Sequence, residues 1–397
     1  MTKPEQALRS DRRKRFPGPE GAESTSTTAD MLPSTPRKSI LHMNIRSLFA
    51  CLLVAGLPCQ LTLAQKASAS PQALETHGEV QFVHDPAIIR EGATWYLFST
   101  GNGPERKGEL PIRCSQDLHE WKKCGQVFAE IPEWIKKESP ETKELWAPDV
   151  SFFNGEYHVY YAFSVFGKNT SGIALLTNKT LDSSRPDFHW VDRGLVLRSR
   201  LEDDFNAIDP NLILDEKGQP WLAFGSFWDG IKMRRIDSKT GLLSPEDTKL
   251  YSLARRKRPQ NPPPNPPGLP GDWQAIEAPF IVHHEDYYYL FVSFDLCCRG
   301  IKSTYKTMVS RSRSVTGPYV DATGTPTLEG GGTALLLGNG RWFGPGGESV
   351  SQQKDGDIIV FHAYDSTTGH AYLQISTIAW VNDWPKVALE GGNAVGK

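Results

Sequence analysis

The sequence predicts an all-β protein folded as a five-bladed β-propeller. A turn residue followed by an aromatic-rich strand recurs five times, and the second residue of each copy falls at position 92, 155, 218, 285 or 356. The intervals are 63, 63, 67 and 71 residues, and each has room for the four short strands of one blade. The chain also contains 35 Gly and 29 Pro residues, which favour turns over long helices.

The propeller is expected to span residues 78–390. The segment before it has the pattern of a leader. Residues 1–42 are rich in Ser, Thr, Pro, Lys and Arg without apolar periodicity, so they are interpreted as a disordered leader or a misassigned upstream start. Residues 43–64 have a basic start, an apolar run of about ten residues and small residues before Ala64, which is the pattern of a secretory signal peptide. We therefore expect a secreted protein, extracellular or periplasmic, that is cleaved near Ala64.

Charge argues against two classes of partner. The 44 basic and 46 acidic side chains give a formal net charge of -2. Nucleic acids and anionic membranes attract proteins with a basic excess, which this chain lacks. We therefore predict neither a nucleic-acid partner nor a membrane partner.

Four cysteines follow the predicted signal peptide, and export permits disulfide bonds between them. Cys114 and Cys124 flank a short turn-like stretch, so they can pair across a hairpin. The adjacent Cys297 and Cys298 can form a vicinal bridge or remain two small apolar residues. The sequence leaves the pairing open, but no Cys-x-x-Cys or His-rich spacing indicates zinc.

A short apolar strand that begins at a proline segment precedes each repeat, and four of these segments carry a carboxylate. They are Val83-His84-Asp85-Pro86, Trp146-Ala147-Pro148-Asp149, Ala207-Ile208-Asp209-Pro210 and Ile276-Glu277-Ala278-Pro279. In a propeller this strand lies nearest the axis, so equivalent positions of successive blades converge on one cleft. A single Asp-Pro is better explained as the start of a turn. Four carboxylates in equivalent segments predict a site instead.

Carboxylates crowded into an aromatic cleft suit one kind of chemistry. Like charges held together raise one another's pKa, which keeps one acid protonated near neutral pH while another stays ionised. Trp and Tyr faces stack on sugars, so such a pair is suited to glycoside hydrolysis. The sequence has no Ser-His-Asp elbow, phosphate loop or dinucleotide fingerprint that would favour another reaction.

Seven segments carry a family resemblance when they are taken in order. They are Val-His-Asp85-Pro, Leu-Trp-Ala-Pro-Asp149-Val, Phe-Asn-Ala-Ile-Asp209-Pro-Asn, Ser226-Phe-Trp-Asp-Gly230-Ile, Ala-Ile-Glu277-Ala-Pro-Phe, Asp-Leu-Cys-Cys-Arg-Gly300 and Leu328-Glu-Gly-Gly-Gly. Together they resemble glycoside hydrolase family 43, and within it the endo-acting α-1,5-L-arabinanases, over residues 78 to 385. The resemblance implies a five-bladed propeller, inverting hydrolysis in a single displacement, and no cofactor required for the chemistry.

The resemblance assigns a role to each of three carboxyl groups. Asp85 would be the general base that activates water, and Glu277 would be the general acid that protonates the departing oxygen. Asp209 would orient that acid and raise its pKa. An inverting enzyme holds the base and acid carboxyls about 6.5–9.5 Å apart, which leaves room for a water. From the residues alone the roles stay unassigned, and Asp149 remains a further candidate.

The resemblance also indicates substrate contacts beside Asp85 and Asp209. The residues that match sugar-binding stretches of the family are Gly167, Asn206, Ser226, Phe227 and Trp228. For Phe227 and Trp228 the alternative is ordinary core packing. Trp146 is a further candidate.

One departure from the family pattern concerns a metal. Many arabinanases read Gly-Pro-Gly-His at the start of the fifth blade, and that histidine belongs to a central metal site, usually calcium. This chain reads Gly344-Pro-Gly-Gly347-Glu348, so the imidazole is missing. Glu348 offers the oxygen ligation that calcium prefers, and His362 lies on the following strand. The centre therefore holds either calcium or another metal ion, or else water or an anion, and a lone His362 is better explained as a hydrogen-bonded core residue.

A proline-rich insertion loop at residues 259–271 separates the third and fourth blades, just before Glu277. It follows the basic run Arg255-Arg-Lys-Arg258. Its composition favours extended structure without a packed core. The insertion either walls the cleft and limits the passage of long chains, or it is a tolerated surface insertion.

The sequence therefore predicts a secreted glycoside hydrolase that cuts α-1,5-L-arabinofuranosidic bonds in arabinan, the side chain of pectin, by endo action. The nearer alternatives are an exo-acting α-L-arabinofuranosidase and a β-xylosidase on the same fold. An alternative of a different class is a carbohydrate-binding propeller without activity, although a binding module does not need Asp85, Asp209 and Glu277 together. The expected partner is the polysaccharide substrate, and the expected oligomeric state is a monomer.

Overall fold

Sheets of four or five strands recur five times along the chain. The computed structural model describes residues 70–101, 108–263 and 270–391. Within these residues each of the five sheets is built from strands that follow one another in sequence, apart from one added strand in each of two sheets. This architecture confirms the predicted five-bladed β-propeller. The predicted leader at 1–42 and signal peptide at 43–64 lie outside the described residues.

The strands are numbered in chain order, and the first strand of each blade is the innermost. Two short strands come before the first blade: β1 (Ala73–Leu74) and β2 (His77–Gly78). Blade 1 contains β3 (His84–Glu91), β4 (Thr94–Thr100), β5 (Glu109–Ser115) and β6 (Glu120–Phe128), and the helix α1 (Glu133–Glu138) follows it. Blade 2 contains β7 (Leu145–Phe153), β8 (Glu156–Phe163), β9 (Gly172–Asn178) and β10 (Val191–Arg198). Blade 3 contains β11 (Asn211–Leu214), β12 (Pro220–Phe224), β13 (Ile231–Arg235) and β14 (Tyr251–Ala254).

The remaining two blades have the same plan. Blade 4 contains β15 (Ile276–His284), β16 (Tyr287–Phe294), β17 (Lys306–Ser312) and β18 (Thr333–Leu336). Blade 5 contains β19 (Trp342–Ser351), β20 (Ile358–Asp365) and β21 (Ala371–Thr377), and a small hairpin of β22 (Ala379–Val381) and β23 (Trp384–Lys386) follows. Short 3-10 helices lie at Asp272–Gln274, Gly300–Lys302 and Thr327–Glu329. None of the helices in the described part of the chain has the length and apolar character of a membrane span.

The N-terminal strand β1 supplies the fourth strand of blade 5. Ala73 pairs with Ser376 and Leu74 pairs with Ile375 of β21 in an antiparallel ladder. The amide of Thr377 extends the ladder by donating to the carbonyl of Gln72 at 2.9 Å. The first and last blades are therefore joined through the N-terminal segment, and the sheets begin at Ala73, ahead of the predicted boundary at residue 78.

The aromatic-rich repeats form the second strand of every blade, namely β4, β8, β12, β16 and β20. These strands are almost entirely buried because their sheets are covered by the neighbouring blades on both faces. Successive side chains point to opposite faces, so Leu97 packs against blade 5 while Phe98 packs against blade 2. Five hydrophobic clusters in the described residues fill the five spaces between adjacent blades in this way.

A bulge near the start of the innermost strand decides which residues face the centre. The register against the second strand shifts between His84 and Ala87, Trp146 and Asp149, Glu277 and Phe280, and Gly346 and Ser349. In these four bulges the residue with a left-handed backbone is Asp85, Ala147, Ala278 or Gly347, and Asp209 has the same conformation just before β11, with φ between 43° and 60° in all five. Of the four carboxylates in the proline segments, only Asp85 and Asp209 therefore hold the same position, that of the left-handed residue.

The expectation of four equivalent carboxylates is correct only in part. Glu277 lies one position before the left-handed residue of its bulge, and Asp149 lies two positions after it. A bulge turns successive residues in different directions, so these shifts send the side chains to different places. The proline segments mark the bulges in the sequence, but they do not show which side of each bulge a carboxyl occupies.

Polar residues two positions after the left-handed residue connect neighbouring blades. Asp149 of blade 2 accepts a hydrogen bond from the amide of Leu212 in blade 3 at 3.0 Å. Asn211 Oδ1 of blade 3 accepts one from Ile281 in blade 4 at 2.9 Å. The hydroxyl of Ser349 in blade 5 accepts one from the amide of Ile88 in blade 1 at 3.2 Å. These bonds satisfy buried amides of the innermost strands and fix one blade to the next.

Candidate active site

The starts of the innermost strands surround a cleft of about 430 Å3. The three carboxyls predicted to be catalytic, Asp85, Asp209 and Glu277, line this cleft from blades 1, 3 and 4. The predicted substrate contacts also line it, namely Gly167, Asn206, Ser226, Phe227 and Trp228. Trp146 is a further lining residue. Residues that are far apart in the sequence are thus brought together at one site.

Asp85 is positioned by the bulge of β3 and by a buried histidine. Its backbone amide donates to Nδ1 of the fully buried His362 at 3.3 Å. Burial, and after it the positive-charge repulsion of His84, lowers the pKa of His362 well below its usual value, so the imidazole is neutral and Nδ1 can accept.

The Asp85 carboxyl has a raised pKa. Burial raises the pKa of Asp85 to about 6, a hydrogen bond from Thr100 lowers it, and the charge of Glu144 raises it further. Its carboxyl is therefore mostly ionised at pH 7, which is the state that can accept a proton from water.

Glu277 is held against the third blade. Ser226 forms an antiparallel bridge with Glu277, and its hydroxyl donates to Oε2 of Glu277 at 2.8 Å. Burial raises the pKa of Glu277 to about 7, the hydrogen bonds from Ser226 and Tyr305 lower it, and the charge of Asp85 raises it. A carboxyl in this range is protonated in a large fraction of molecules near neutral pH, as a general acid requires.

Asp209 is connected to Glu277 through the backbone. Its Oδ2 accepts a hydrogen bond at 3.1 Å from the amide of Ala278, the residue directly after Glu277. Burial, followed by the charges of Glu277 and Asp85, raises the pKa of Asp209 well above its usual value. Asp209 therefore holds the bulge that carries Glu277, and the charge of Glu277 in turn affects the pKa of Asp209.

Phe227 and Trp228 form part of the cleft wall. Both are partly exposed, and neither belongs to the hydrophobic clusters between the blades in the described chain, so the core-packing alternative does not describe them. Their backbones are left-handed, with φ of 51° and 42°. Such conformations cost of order 1–3 kcal/mol each and cluster at functional sites. The amide of Phe227 donates to the carbonyl of Ile276 at 2.8 Å, and the side chain of Gln274 donates to the carbonyl of Trp228 at 3.0 Å.

The other predicted contacts differ in how tightly they are held. Asn206 is buried, and its Oδ1 accepts a hydrogen bond from the hydroxyl of Ser171 at 2.6 Å. Gly167 has a left-handed φ of 81° in the loop after β8. Asn206 thus belongs to a rigid part of the wall, whereas Gly167 lies in a loop.

Asp149 lies away from the cleft. It lines a second cavity, of about 30 Å3, that is surrounded by residues at the starts of the innermost strands of all five blades and is therefore axial. Its carboxylate accepts hydrogen bonds at 3.0 Å from the side chain of Asn211 and from the amide of Leu212. Burial raises its pKa to about 7, with these two bonds lowering it. Asp149 is thus a bridge between blades and does not reach the cleft, because it lies after the bulge.

The residues considered for a metal do not fit a calcium site. Glu348 lines the axial cavity, but its Oε2 accepts hydrogen bonds from Ser293 and Thr307 at 3.0 Å each. His362 is not among the residues that line this cavity, and its Nδ1 is used by Asp85. Nowhere in the described ranges do three His, Cys, Asp or Glu side chains come together as metal ligands would. We therefore assign no step of the chemistry to a metal.

Sequence reasoning does not single out several residues of the cleft. Thr100 ends the aromatic strand of the first repeat, Tyr305 follows the second cysteine pair, and Phe166 precedes Gly167. Phe166 is 78% exposed, although it is a large apolar side chain. Only Phe166 has a signal in the sequence, its position beside a predicted contact. Thr100 forms a hydrogen bond with Asp85 and Tyr305 forms one with Glu277, and both bonds lower the pKa of the carboxyl. Each pair joins two separate segments, so a pattern along the sequence does not reveal it.

Both cysteine pairs form disulfide bonds. Cys114 of β5 is bonded to Cys124 of β6, and Cys297 is bonded to its neighbour Cys298. Of the two alternatives for the adjacent pair, the structure contains the vicinal bridge.

The basic run before the proline-rich insertion is held in place by hydrogen bonds and ion pairs. Arg256 donates to Asp295 at 2.5 Å and to the carbonyl of Ala275 at 3.0 Å. Arg255 pairs with Asp229 at 3.0 Å. Of the insertion at 259–271, the structure describes residues 259–263 and 270–271. Pro270 lines the cleft.

These features define a class of protein. A propeller cleft that combines two carboxyls of raised pKa with partly exposed aromatic side chains is the arrangement of a glycosidase. Comparison with protein families agrees, because residues 80–385 match the model described as glycosyl hydrolases family 43. The chain belongs to glycosyl hydrolases family 43, which confirms the resemblance found in the sequence.

Similar proteins include endo- and exo-acting members. The chain is 42% identical over 307 residues to the extracellular endo-α-(1→5)-L-arabinanase 1 of Bacillus subtilis, covering 77% of this chain and 87% of that protein. It is 43% identical over 314 residues to the extracellular exo-α-(1→5)-L-arabinofuranosidase ArbA of Cellvibrio japonicus, covering 77% and 86%. A solved structure of the Cellvibrio cellulosa α-L-arabinanase complexed with arabinohexaose is 41% identical, with a TM-score of 0.72 and coverage of 78% and 96%.

Proposed function

We propose that this protein is an inverting glycoside hydrolase that cleaves α-1,5-L-arabinofuranosidic bonds within arabinan by endo action. The observation that carries the proposal is the pairing of Asp85 and Glu277 in one cleft, with pKa values raised to about 6 and about 7. The choice of arabinan rests on the similarity to the endo-α-(1→5)-L-arabinanase of Bacillus subtilis and to the arabinanase complexed with arabinohexaose.

In the proposed reaction the two carboxyls act on opposite ends of one displacement. Glu277 gives its proton to the departing oxygen while Asp85 takes a proton from the water that attacks the sugar. Asp209 holds the backbone amide next to Glu277 and so orients the acid. Phe227 and Trp228 offer aromatic faces to the sugar, and Asn206 offers an amide. The released sugar end has the inverted configuration, which proton NMR detects in the first minutes of reaction.

The decisive experiment is a time course of products from linear α-1,5-arabinan. Early oligomers of mixed length support endo cutting. The matched variant Glu277→Gln retains the shape of the acid but not its proton, so we expect it to fold normally and to lose turnover of the unactivated substrate. Undiminished activity in that variant would refute the role of Glu277.

Exo action is the second candidate, and two observations favour it. The exo-acting relative from Cellvibrio japonicus is 43% identical. Pro270 and Asp272, from the end of the insertion and just beyond it, line the cleft, where a wall that blocks long chains would favour exo action. Arabinose or one short oligomer as the sole early product would establish exo action. Hydrolysis of xylo-oligomers instead would favour the β-xylosidase alternative, and binding without any hydrolysis would favour a carbohydrate-binding module.

The proposal includes secretion of the protein. Secretion is supported by the signal-peptide pattern at 43–64 and by the two relatives described as extracellular. Mass spectrometry of the exported protein is expected to find an N-terminus close to residue 65. Light scattering tests the expectation of a monomer.

A further inference from the structure

The vicinal disulfide lies in the wall of the active-site cleft. Cys297 and Cys298 both line it, together with their neighbours Leu296 and Arg299. Cys297 is half-buried and Cys298 is exposed, so the bond is accessible from the cleft. Glu277 lines the same space. The roles given to the reacting groups make no use of this bond.

Hydrogen bonds hold the disulfide segment in place on both sides. The amide of Cys298 donates to the hydroxyl of Tyr364 at 2.9 Å, and the amide of Arg299 donates to the hydroxyl of Ser303 at 3.0 Å. The amide of Thr304 donates to the carbonyl of Leu296 at 2.9 Å. A surface that is already ordered loses little entropy when a ligand binds to it, which favours a role in binding.

The bond between neighbouring side chains maintains an unusual backbone. Cys298 has a left-handed φ of 65°, a conformation that is unfavourable for a residue with a Cβ. Without the bond, the segment is free to return to a more common conformation. The shape of this part of the wall therefore depends on the oxidised state of the pair.

The chemistry of the surface indicates what it contacts. A disulfide has no hydrogen-bond donor, and its sulfur atoms are polarizable and apolar. The neighbouring Leu296 is also apolar. Such a surface matches the C–H face of a sugar ring better than its hydroxyl groups. We propose that the Cys297–Cys298 disulfide is a platform on which the C–H face of an arabinofuranosyl residue packs, and that its loss weakens substrate binding. The inference rests on the proposed function and adds a contact to it.

A second route for an effect of this bond runs through Tyr364. The Tyr364 ring lies edge-on to His84 at 5.5 Å and to His362 at 5.6 Å between ring centroids, and His362 accepts the amide of Asp85. If the disulfide served only to hold Tyr364, its loss would disturb the base and lower kcat. The platform predicts a change in KM instead, so the two kinetic constants separate the two roles.

The test compares two double variants on arabinohexaose. Cys297→Ala with Cys298→Ala is expected to raise KM about fivefold and leave kcat within twofold, the effect of losing roughly 40 Å2 of apolar contact. The matched control, Cys114→Ala with Cys124→Ala, removes the disulfide between β5 and β6, which does not line the cleft, so its KM should equal that of the unmodified protein.

Reduction of the disulfide provides a second measurement, which does not depend on whether the Cys297→Ala, Cys298→Ala variant folds. In the Cys114→Ala, Cys124→Ala protein, phosphine reduction should raise KM to the same extent, and reoxidation should restore it. An unchanged KM after reduction and in the Cys297→Ala, Cys298→Ala variant overturns the platform. A lower kcat at unchanged KM also overturns it. If the unmodified protein does not hydrolyse arabinan at all, the proposed function itself has failed, which is a separate outcome.

Discussion

Replacing Ser226 with alanine is expected to move the alkaline limb of the pH–activity profile to higher pH. In the proposed mechanism the general acid must be protonated and the base must be ionised, so activity is expected at a pH above the pKa of Asp85 and below that of Glu277. With pKa values of about 6 and about 7, the unmodified protein should be most active between these two values. Because the two carboxyls interact, each limb reports an apparent pKa of the pair. A change at one carboxyl is expected to shift mainly the limb assigned to that carboxyl.

The size of the shift follows from one hydrogen bond. The Ser226 hydroxyl donates to Glu277 Oε2 at 2.8 Å and favours the ionised carboxyl, which lowers its pKa. A hydrogen bond to a charged group contributes more than one to a neutral group by about 1 kcal/mol. At 1.36 kcal/mol for each pKa unit, removal of the bond should raise the pKa of Glu277 by about 0.7 units. The acid then stays protonated to a higher pH.

The assay is the pH dependence of kcat/KM on linear arabinan, which reports the free enzyme. The control is Ser164→Ala, because Ser164 lines the same cleft but its hydroxyl bonds to Ser171 at 2.6 Å. Whatever it does to KM, the control should leave the alkaline limb in place. An alkaline limb that stays at the same pH in Ser226→Ala, or moves to lower pH, would refute the assignment of that limb to Glu277.

Three further predictions concern the base and the stability of the ring. Thr100→Val removes the hydrogen bond that lowers the pKa of Asp85, so the acid limb of the same profile should move to higher pH, whereas Thr100→Ser should leave it. Burial raises the pKa of Asp149 to about 7, so the folded protein binds more protons than the unfolded chain between about pH 4 and 7, and the free energy of unfolding should fall as the pH rises through this window. In Asp149→Asn this contribution to the slope should be lost in urea titrations, and stability should fall by about 1–3 kcal/mol because one of the two donors to the carboxylate loses its acceptor. Deleting residues 65–75 removes β1 and leaves the edge of β21 unpaired, so calorimetry should find a lower Tm, and an unchanged Tm would contradict closure of the ring by that strand.

The sequence predicts the fold well because its signals are local. Each repeat combines a turn with a strand, as in Gly92 before β4, and the turn and its strand lie within a few residues of each other. The number of blades then follows from counting. The strand that closes the ring could not be predicted in the same way, because β1 is two residues long and its partner β21 lies some three hundred residues away.

The candidate site was predictable as a set of residues but not as a geometry. Proline segments mark the starts of the innermost strands, so Asp85 and Glu277 are found by pattern and by family resemblance. Their hydrogen-bond partners, Thr100 and Tyr305, come from other segments and have no marker of their own. Asp149 has a similar segment but lies on the far side of its bulge. A displacement of two residues along a bulged strand is enough to move a carboxyl from the cleft to an interface between blades.

The missing imidazole at Gly347 is better understood from its surroundings than as a lost ligand. Gly347 holds the left-handed position of the fifth bulge, equivalent to Asp85 and Asp209, with a φ of 60°. A Cβ at this position would lie 2.7 Å from Oδ1 of Asp85 and 2.9 Å from Nδ1 of His362, closer than such atoms can approach. Any side chain here would therefore displace the carboxyl of Asp85 or the imidazole of His362, which accepts the amide of Asp85. In this chain the space beside Asp85 is occupied by His362, and glycine is the residue that leaves both groups in place.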